Sequence, residues 1–407
     1  MGRYGNKTKL QTNFEAKRFL KNYKMKKLIH YLNSKRKKLN KKYLPLHEPE
    51  ITKRDQQEVL KGLKSGFVST AGKDIMIFEK KLKKIIKVRN IVSTINGTSA
   101  LDIALKIVGV KEQDEVLLPT ISFVAPANAI LYNNAIPHFI DSDLNHFGVD
   151  PEKLKTYLLK NTKIKNKICI NLNTNRPIRA LLVVHVFGHP AKILQLKAVA
   201  KKFNLKLIED AAEALGSFFK KKHVGTFGDV GILSFNGNKI ITTGVGGAVI
   251  TNNKNLGDHA RHLSTTAKVR HKWDFVHDML GYNYRLANIN ATLGISQLKK
   301  LSYYLKIKRK IFKRFKNFLK DSDEINILNE PKDCKSNFWL QTLVIKRPSK
   351  LKRDKLLNKF HRNKILARPI WRPLHKLSYF NKYPKMNLSN SKKIENSIIN
   401  IPSSFYL

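Results

Sequence analysis

The chain has little cysteine, few acidic residues and no long apolar run. Its 407 residues include two cysteines, Cys169 and Cys334, which are too few for a disulfide framework. No window approaches the roughly 18 uncharged apolar residues that a membrane-spanning helix needs. The N-terminus has no apolar segment followed by a small-residue cleavage site, which argues against a secretory signal. These absences predict a protein of the reducing cytoplasm without a membrane partner.

Acidic residues are scarce, because 29 Asp and Glu stand against 79 Lys and Arg, and the formal net charge is +50. Such a charge raises the question of nucleic acid or anionic lipid as a partner. The excess is mostly lysine and recurs in every region of the chain. It therefore indicates a lysine-rich composition with solvated faces, and nucleic acid is not the expected partner. Polyanion binding stays open as an alternative, chiefly for the N-terminal segment.

Residues 1–43 differ from the rest in composition. Glu15 is their only acid, and their cations include Lys17, Arg18, Lys21, Lys24, Lys26, Lys27 and the run at 35–38. Phe19, Tyr23, Leu28 and Tyr31 recur at near-helical spacing. We predict a separate basic extension with helical character, and Met25 is an alternative start of translation.

From Leu44 onward, short apolar runs typical of strands buried on both faces alternate with helical patterns. The predicted strands cover 91–95, 115–118, 136–140, 180–186, 205–208, 230–235 and 248–251. The predicted helices include 75–88, 100–108, 125–131 and 193–203. This alternation predicts a large α/β domain over residues 44–285, with a mostly parallel sheet flanked by helices. Ligands of such sheets bind at the carboxyl ends of the strands.

The C-terminal part has a different pattern. A long lysine-rich helical pattern covers 287–319, and a strand-like pattern covers 338–345. Two domains are the default for a chain of this length. We therefore predict a smaller C-terminal α/β domain over residues 286–407.

A polar turn at 96–99, with the sequence Asn-Gly-Thr-Ser, lies between a predicted strand and a predicted helix. Free amide groups at such a helix start, together with two hydroxyl groups and a glycine, can hold a phosphate. A strand-to-helix turn capped by Thr or Ser would have the same sequence. The motif alone leaves both interpretations open.

Two adjacent carboxylates, Glu209 and Asp210, end the predicted strand before Glu213. Burying a carboxylate is costly unless a cation or hydrogen-bond donors meet it. A protonated pyridine nitrogen would be such a partner for Asp210. An acidic cap on a following helix is the alternative interpretation.

A single lysine, Lys239, follows the predicted strand that ends near Ser234 and precedes a glycine-rich return at 242–247. A lysine at a strand end inside an α/β cleft can be desolvated, which favours the neutral, nucleophilic amine that forms a Schiff base. In a chain with so much lysine, the surrounding residues have to distinguish this lysine from the others.

Taken in order, these segments resemble the DegT/DnrJ-type sugar aminotransferases, a branch of the fold-type I pyridoxal-phosphate enzymes. The resemblance extends from about Leu44 to the C-terminus and lies in residues 96–101, 119–128, 184–190, 209–216, 234–247 and 281–286. Residues 1–43 have no counterpart in the family pattern, and 191–197 lacks the usual acidic residues. Residues 66–73 and 234–239 most resemble members of bacillosamine- and legionaminic-acid-type pathways, which act on UDP-linked 4-keto-6-deoxy-N-acetylhexosamines.

The resemblance implies pyridoxal 5'-phosphate as the cofactor and no metal. Lys239 would be the Schiff-base lysine and proton carrier, and Asp210 would keep the pyridine nitrogen protonated. Phe123 would stack on the ring, and Glu213 would lie near the ring hydroxyl. The phosphate would be held by Gly97, Thr98, Ser99, Ser234 and Asn236, and by Asn283 from the partner of a homodimer with shared active sites.

The resemblance also implies a nucleotide-sugar acceptor, an amino-acid donor that we expect to be glutamate, and a role in cell-surface glycan biosynthesis. The segments that border the sugar-nucleotide cleft in relatives contain Thr70, His185, His277, Arg285, Arg368, Trp371 and His375. Trp371 as core packing and His185 as a satisfied buried histidine are equally open.

Two alternative functions are another enzymatic reaction on the same fold and a regulatory role, and the second belongs to a different class. Sugar 3-dehydratases of the same fold carry histidine at the position of Lys239, so the lysine argues against that reaction. An aminotransferase-like regulator with a basic DNA-binding arm would need a fold in residues 1–43, which contain no clear helix-turn-helix pattern.

Overall fold

The computed structural model describes residues 23–407, and of Tyr23 it describes only the backbone. The predicted helical character of Phe19 and the cations at 17, 18 and 21 lie outside the described residues. The α-helices are α1 Tyr23–Lys38, α2 Lys53–Lys64, α3 Lys73–Ile86, α4 Gly97–Ile107, α5 Ala125–Tyr132, α6 Pro151–Asn161, α7 Ile193–Lys202, α8 Lys254–Ser264, α9 Asn288–Phe318, α10 Lys350–Arg362 and α11 Ser389–Glu395.

The strands form three sheets. They are β1 Asn90–Thr94, β2 Glu115–Pro119, β3 Ile136–Ile140, β4 Thr162–Lys165, β5 Ile168–Asn171, β6 Pro177–Val184, β7 Lys206–Asp210, β8 Phe218–Phe219, β9 Lys222–His223, β10 Val230–Ser234, β11 Gly247–Thr251, β12 Ile325–Ile327, β13 Cys334–Lys335, β14 Gln341–Ile345, β15 Arg368–Pro369 and β16 Ile398–Ile401.

The largest sheet has nine strands, and its main path runs in the order β1-β11-β10-β7-β6-β2-β3. The pairs from β10 through β3 are parallel, whereas β11 is antiparallel to both of its neighbours. β4 and β5 extend the sheet from the start of β6. The prediction of a mostly parallel sheet flanked by helices is therefore confirmed.

Both faces of this sheet are covered, which explains the continuous apolar runs in the sequence. In β6, Leu181 and Val183 belong to one hydrophobic cluster, whereas Leu182 and Val184 belong to another. Successive side chains of a strand point to opposite faces, so a strand covered on both faces is apolar at every position.

The C-terminal residues form a four-stranded antiparallel sheet in the order β12-β14-β16-β15. A third sheet pairs β13 with β8, and so joins residue 334 to the region after β7. The predicted strand at 338–345 begins later, at Gln341, because Phe338 has a left-handed backbone (φ 50°) that interrupts extended structure. The predicted helix at 287–319 is confirmed as α9. The division of the chain at residue 285 stays a prediction.

The prediction that residues 1–43 stand apart from the folded body is wrong for the part that the structure describes. Met25, Leu28, Ile29 and Leu32 of α1 are at most 5% exposed. They share a hydrophobic cluster with Ile311, Phe312 and Phe315 of α9 and with residues of the four-stranded sheet. After α1, the backbone of Leu44 bonds to Lys364 and Leu366. The segment 25–44 is therefore part of the C-terminal core, and its basic side chains belong to its outer face.

None of the helices in the described range 23–407 is long and apolar enough to cross a membrane.

Candidate active site

The carboxyl ends of β1, β2, β6, β7 and β10 lie at one edge of the large sheet, because these strands all run in the same direction. A cavity of about 340 Å³ lies at this edge. Its walls include Asn96, Gly97, Thr98, Ser122, Phe123, Asp210, Ala212, Glu213, Ser234, Asn236, Asn238, Lys239, Trp339 and Trp371. Eight of the ten predicted cofactor residues are in this wall, and Ser99 and Asn283 are not.

One end of the cavity is built from the start of α4. Asn96 caps this helix, and its Oδ1 accepts a hydrogen bond from the amide of Ser99 at 2.8 Å. A Cβ atom at Gly97 would lie 3.1 Å from Cβ of Ser234, so glycine lets the helix start approach the end of β10. Helix N-termini attract anions through their free amides and the helix dipole. Gly97, Thr98 and Ser234 therefore form a cradle suited to a phosphate.

Ser99 corrects part of the prediction. Its amide already donates to Asn96, and its side chain does not line the cavity. The residue is buried in α4, and its part in holding the phosphate stays a prediction.

Glu209 and Asp210 point to opposite sides of β7, as neighbours in a strand must. Glu209 is fully buried, and its carboxylate accepts hydrogen bonds from His185 and from the amides of Gly225, Phe227 and Gly228, at 2.6–3.0 Å. It is a structural group with four donors around it. Asp210 instead lines the cavity, where it is the carboxylate that remains for a ligand.

Burial raises the pKa of Asp210, and the amide of Ala212 and the charge of Lys239 offset this only in part. The Ala212 amide donates to Oδ1 at 2.9 Å. A nearly buried carboxylate in this situation is stabilised by a further cationic donor. A protonated pyridine nitrogen has this chemistry.

Lys239 follows β10 in a tight turn, in which its amide donates to Asn236 O at 2.9 Å. Its Nζ donates to Oε1 of Glu213 at 3.4 Å and lies 4.2 Å from the ring centroid of Trp339. Glu213 also accepts from the amide of Phe187 at 2.8 Å, and burial raises its pKa against the nearby charge of Lys239. The lysine thus has a carboxylate and an aromatic face as its immediate neighbours.

The residues in the wall fit pyridoxal phosphate. The anion cradle lies at one end, the buried Asp210 in the sheet edge, and the Lys239 amine beside both. Phe123 is 55% exposed and presents its ring to the cavity, where a flat aromatic ligand can stack on it. In residues 23–407 there is no group of three or more His, Cys, Asp or Glu side chains that could hold a metal ion.

Two predicted substrate residues lie at or near this cavity. Trp371 lines it and packs against Phe187, with ring centroids 4.9 Å apart. His375 lies just outside the wall, and its Nδ1 is 2.7 Å from the hydroxyl of Thr120 at the end of β2. Both interpretations of Trp371 are therefore partly met, because the same indole packs against a core ring and faces the cavity.

His185 is not brought into the cavity, which corrects its assignment as a substrate residue. Its side chain is completely buried. Nε2 bonds to Glu209 at 3.0 Å, and Nδ1 accepts from the amide of Ala191 at 3.1 Å. Both ring nitrogens are therefore used, and the residue supports the buried Glu209.

Arg285 and Thr70 lie near a second cavity of about 540 Å³, which is lined by Ser65, Phe67, Gly72, Lys73, Asp74, Met76, Arg285 and Asn288. Arg285 pairs with Thr94 at the end of β1, three residues before Gly97 of the phosphate cradle. Burial lowers its pKa, although the charge of Glu79 opposes this. Thr70 belongs to the segment 68–70, whose first two carbonyls accept from the start of α9.

The remaining predicted residues point away from the first cavity. Arg368 is exposed at the start of β15. His277 and Asn283 are exposed in the segment 265–284, where His277 Nδ1 donates to Thr266 O at 2.7 Å and Asn283 pairs with Thr265. Within one chain, neither segment reaches the Lys239 site.

Sequence reasoning missed Trp339, which faces Lys239 and whose Nε1 donates to Asn238 O at 2.6 Å. It lies a hundred residues after the lysine, in a turn before β14, and no local motif marks it. Asn238 could have been found, because it is the residue immediately before Lys239 in the polar turn.

Comparisons with known proteins agree with this geometry. The model of the DegT/DnrJ/EryC1/StrS aminotransferase family matches residues 49–407. The GDP-perosamine synthase of Escherichia coli O157:H7 is 36% identical over 345 residues, which cover 84% of this chain and 89% of that protein. The UDP-4-amino-4,6-dideoxy-N-acetyl-beta-L-altrosamine transaminase of Campylobacter jejuni strain 81-176 is 31% identical over 354 residues, which cover 86% and 90%.

The fold has solved counterparts. A DegT DnrJ EryC1 StrS aminotransferase from Brucella abortus superposes with a TM-score of 0.78 at 26% identity, covering 87% of this chain and 91% of that one. Fold and site together define a pyridoxal-phosphate-dependent aminotransferase of fold type I. The chain belongs to the DegT/DnrJ/EryC1/StrS aminotransferase family. The predicted family, enzyme class and cofactor are confirmed.

Proposed function

We propose that the chain transfers an amino group from an amino acid, with glutamate as the expected donor, to the keto group of a nucleotide-linked 4-keto-6-deoxy sugar. The observation that carries this proposal is one cavity that combines Lys239, Asp210 and the cradle of Gly97, Thr98 and Ser234. Aminotransfer to sugars of this kind supplies polysaccharide biosynthesis.

The cofactor, when bound, supplies an electron sink that stabilises negative charge on the carbon next to the transferred nitrogen. Asp210 holds the proton on the pyridine nitrogen, because its buried carboxylate accepts that N–H and balances its charge. The amides at the start of α4 and the hydroxyl of Ser234 hold the phosphate. These contacts would hold both ends of the cofactor, and Phe123 would stack on its ring.

Lys239 would hold the cofactor through its Nζ, and its amine would carry the proton that the transfer moves between donor and acceptor carbons. Glu213 accepts a hydrogen bond from this Nζ at 3.4 Å, so it orients the amine toward the ring. Burial raises the pKa of Glu213, and the nearby charge of Lys239 opposes this shift. Trp339 and Trp371 line the same cavity, and their apolar rings would limit the entry of water.

The acceptor enters beside the aromatic wall of Trp339 and Trp371, where the apolar face of a sugar ring can pack. Residues 66–73 favour a UDP-linked N-acetyl sugar, like the one in the name of the Campylobacter relative. The more similar relative from Escherichia coli is named for a GDP-linked sugar, so a GDP-linked acceptor is the second candidate. We propose contacts with the acceptor for Lys73 and Arg285, which line the second cavity, and for His375, which bonds to Thr120.

The active unit that we propose is a homodimer with shared sites. Asn283 is exposed and lies outside its own cavity, as expected of a residue that reaches the phosphate of the partner. The same segment exposes large apolar side chains, among them Trp273, Phe275 and Leu280, each at least 69% exposed. Several large exposed apolar side chains in one segment are typical of an interface.

The proposal is tested by incubating the protein with pyridoxal phosphate, 15N-labelled glutamate and a panel of UDP-, GDP- and dTDP-linked 4-keto-6-deoxy sugars. We expect a 15N-labelled amino sugar from one nucleotide series, detected by mass, and none with Lys239→Ala. The same incubation is run in D₂O. Loss of a hydroxyl group from the sugar with uptake of deuterium, and without 15N, would indicate the dehydratase reaction instead. An unchanged sugar in every series would refute the proposed acceptor class.

A further inference from the structure

A completely buried lysine lies behind the aromatic wall of the site. Lys308 is in the middle of α9, and its Nζ donates to Trp339 O at 2.8 Å, to Ser403 O, and to Ser403 Oγ at 3.1 Å. Among residues 23–407, no carboxylate forms an ion pair with it. Burying a lysine without an ion-pair partner costs stability. A functional role would explain why a lysine is kept at this position.

Three oxygen atoms surround the nitrogen of Lys308 within hydrogen-bond distance. Ser403 Oγ donates its only proton to Trp339 O at 2.9 Å, so it accepts from Lys308. The two carbonyl oxygens can only accept. Burial lowers the pKa of Lys308 well below its usual range.

Trp339 connects this network to the reacting lysine. Its carbonyl is held by Lys308 and Ser403, and its indole N–H donates to Asn238 O at 2.6 Å. The indole ring lies 4.2 Å from Nζ of Lys239. Lys308 therefore holds the backbone of Trp339, and Asn238, the residue before Lys239, holds its indole ring.

The C-terminal segment belongs to the same assembly. The amide of Ser403 donates to Leu46 O at 2.8 Å, and Phe405 stacks on Tyr304 of α9 with centroids 4.0 Å apart. Nζ of Lys308 lies 5.0 Å from the ring centroid of Phe405. The chain terminus, the segment after α1 and helix α9 therefore meet around the side-chain nitrogen of Lys308.

We propose that Lys308 is a positioning residue for the transamination, because it holds Trp339 against the amine of Lys239 through the carbonyls of Trp339 and Ser403. This proposal rests on the proposed function only in that Lys239 is the reacting lysine. When Lys308 is removed, the turn at 337–340 loses one donor, Ser403 loses its contacts with the amine, and the indole can leave the amine of Lys239. The lysine then samples more orientations, and displacement of a reacting group by about 1 Å can cost as much as a hundredfold in rate.

The test uses Lys308→Met, which keeps the chain length without donors, and Lys310→Met as the matched control on the exposed face of the same helix. The protein has three tryptophans, so 5-fluorotryptophan labelling gives three fluorine resonances. Trp273→Phe and Trp371→Phe assign the third resonance to Trp339. Spectra are recorded without cofactor or substrate, so they test positioning independently of any activity.

We expect Lys308→Met to shift or broaden the Trp339 resonance, while Lys310→Met leaves all three resonances unchanged. In the cofactor-loaded protein, the single-turnover rate with glutamate should fall about tenfold in Lys308→Met, with half-saturation by glutamate within about twofold of the wild type. Ser403→Ala removes both Oγ contacts with less disturbance. It should show the same two effects at smaller size, and it replaces Lys308→Met if that protein does not fold.

An unmoved Trp339 resonance in a folded variant would overturn the proposal. A moved resonance with an unchanged rate would also overturn it, because the indole would then not position the amine. A wild-type protein that reacts with glutamate but aminates no nucleotide sugar would refute the proposed acceptor and leave this inference standing.

Discussion

Asp210 and Glu209 are neighbours in β7, but their surroundings are opposite. Glu209 has four donors at 2.6–3.0 Å, whereas Asp210 accepts from the amide of Ala212 and faces the cavity. The period of two in a strand separates the roles of these adjacent carboxylates. One stabilises the fold, and the other is available to the cofactor.

Replacing Asp210 by Asn should remove catalysis and leave the cofactor bound. An amide cannot balance the charge of a protonated pyridine, and losing a close charge pair at a dry site costs about 3–4 kcal/mol, or a rate loss of about 10²- to 10³-fold. The measurement is single-turnover reaction with glutamate, with cofactor content determined by absorbance. Turnover within tenfold of the wild type would show that another acid holds the pyridine proton.

Replacing Glu209 by Gln should instead lower stability. The new NH₂ group would face backbone N–H donors, and unpaired buried donors cost about 1–3 kcal/mol. Burial alone would raise the pKa of Glu209, but the hydrogen bond and charge of His185 and the amides of Gly225 and Gly228 outweigh it and hold the pKa below its ordinary range.

A carboxyl with a lowered folded pKa contributes stability above its unfolded pKa of about 4.3, and this contribution is lost as the pH falls through the folded value. The stability difference between wild type and Glu209→Gln should therefore narrow below about pH 5. Urea denaturation at several pH values measures it, with the exposed Glu112→Gln as the control. A difference that stays constant with pH would contradict this role of Glu209.

At the scale of elements, the strands were predictable because both faces of the sheet are covered. The parallel strands β2, β3, β6, β7 and β10 each contain an apolar run, which is typical of a strand buried on both sides. The position of Trp339 was not predictable, because a left-handed residue and the side chain of Asn337 place it in a turn. Of the two interpretations of His185, the structure favours the satisfied buried histidine. Its partner Glu209 lies 24 residues later in the sequence, so no local pattern indicated the pair.

Helix α1 shows how composition can mislead. Its lysines indicated an extension, but the spacing of Met25, Leu28, Ile29 and Leu32 places one apolar stripe on the C-terminal core. The aromatic spacing correctly predicted a helix for the described part. The charge pattern describes only the solvent side of the same helix.

Removing residues 1–43 should therefore destabilise the protein. Four buried apolar side chains at about 1.5–3 kcal/mol each amount to a large share of the 5–15 kcal/mol that stabilises a domain. Removing residues 1–22 should leave α1 and the core that it covers in place. Thermal unfolding of the two shortened proteins measures the difference, and equal melting temperatures would contradict the structural role of α1.

A point variant makes the same test without shortening the chain. Leu32→Ala should lower the free energy of unfolding by about 2–5 kcal/mol, because Leu32 is completely buried. Lys37→Ala, on the exposed face of α1, is the matched control and should change it by less than about 0.5 kcal/mol. A Leu32→Ala protein as stable as the control would show that α1 does not pack as described.

At the scale of the whole molecule, shared sites make a specific prediction for mixed dimers. Lys239→Ala and Asn283→Asp should each be nearly inactive alone, the second because a carboxylate would face the phosphate of the partner. Randomly mixed, they should recover about a quarter of wild-type turnover, since half of the dimers are hybrids with one intact site.

The control for this experiment mixes Lys239→Ala with Asp210→Asn. Lys239 and Asp210 line the cavity of the same chain, so no hybrid dimer contains an intact site and no activity should return. Recovery in the control, or none in the first mixture, would show that Asn283 does not act across an interface.

The most direct test of the active site is to find which lysine carries the cofactor. Borohydride reduction of the protein loaded with pyridoxal phosphate, followed by peptide mapping, should place a stable label on Lys239. Lys239→Arg should give no label under the same conditions. A stable label on any other lysine of the wild-type protein, Lys308 included, would contradict the assignment of the active site.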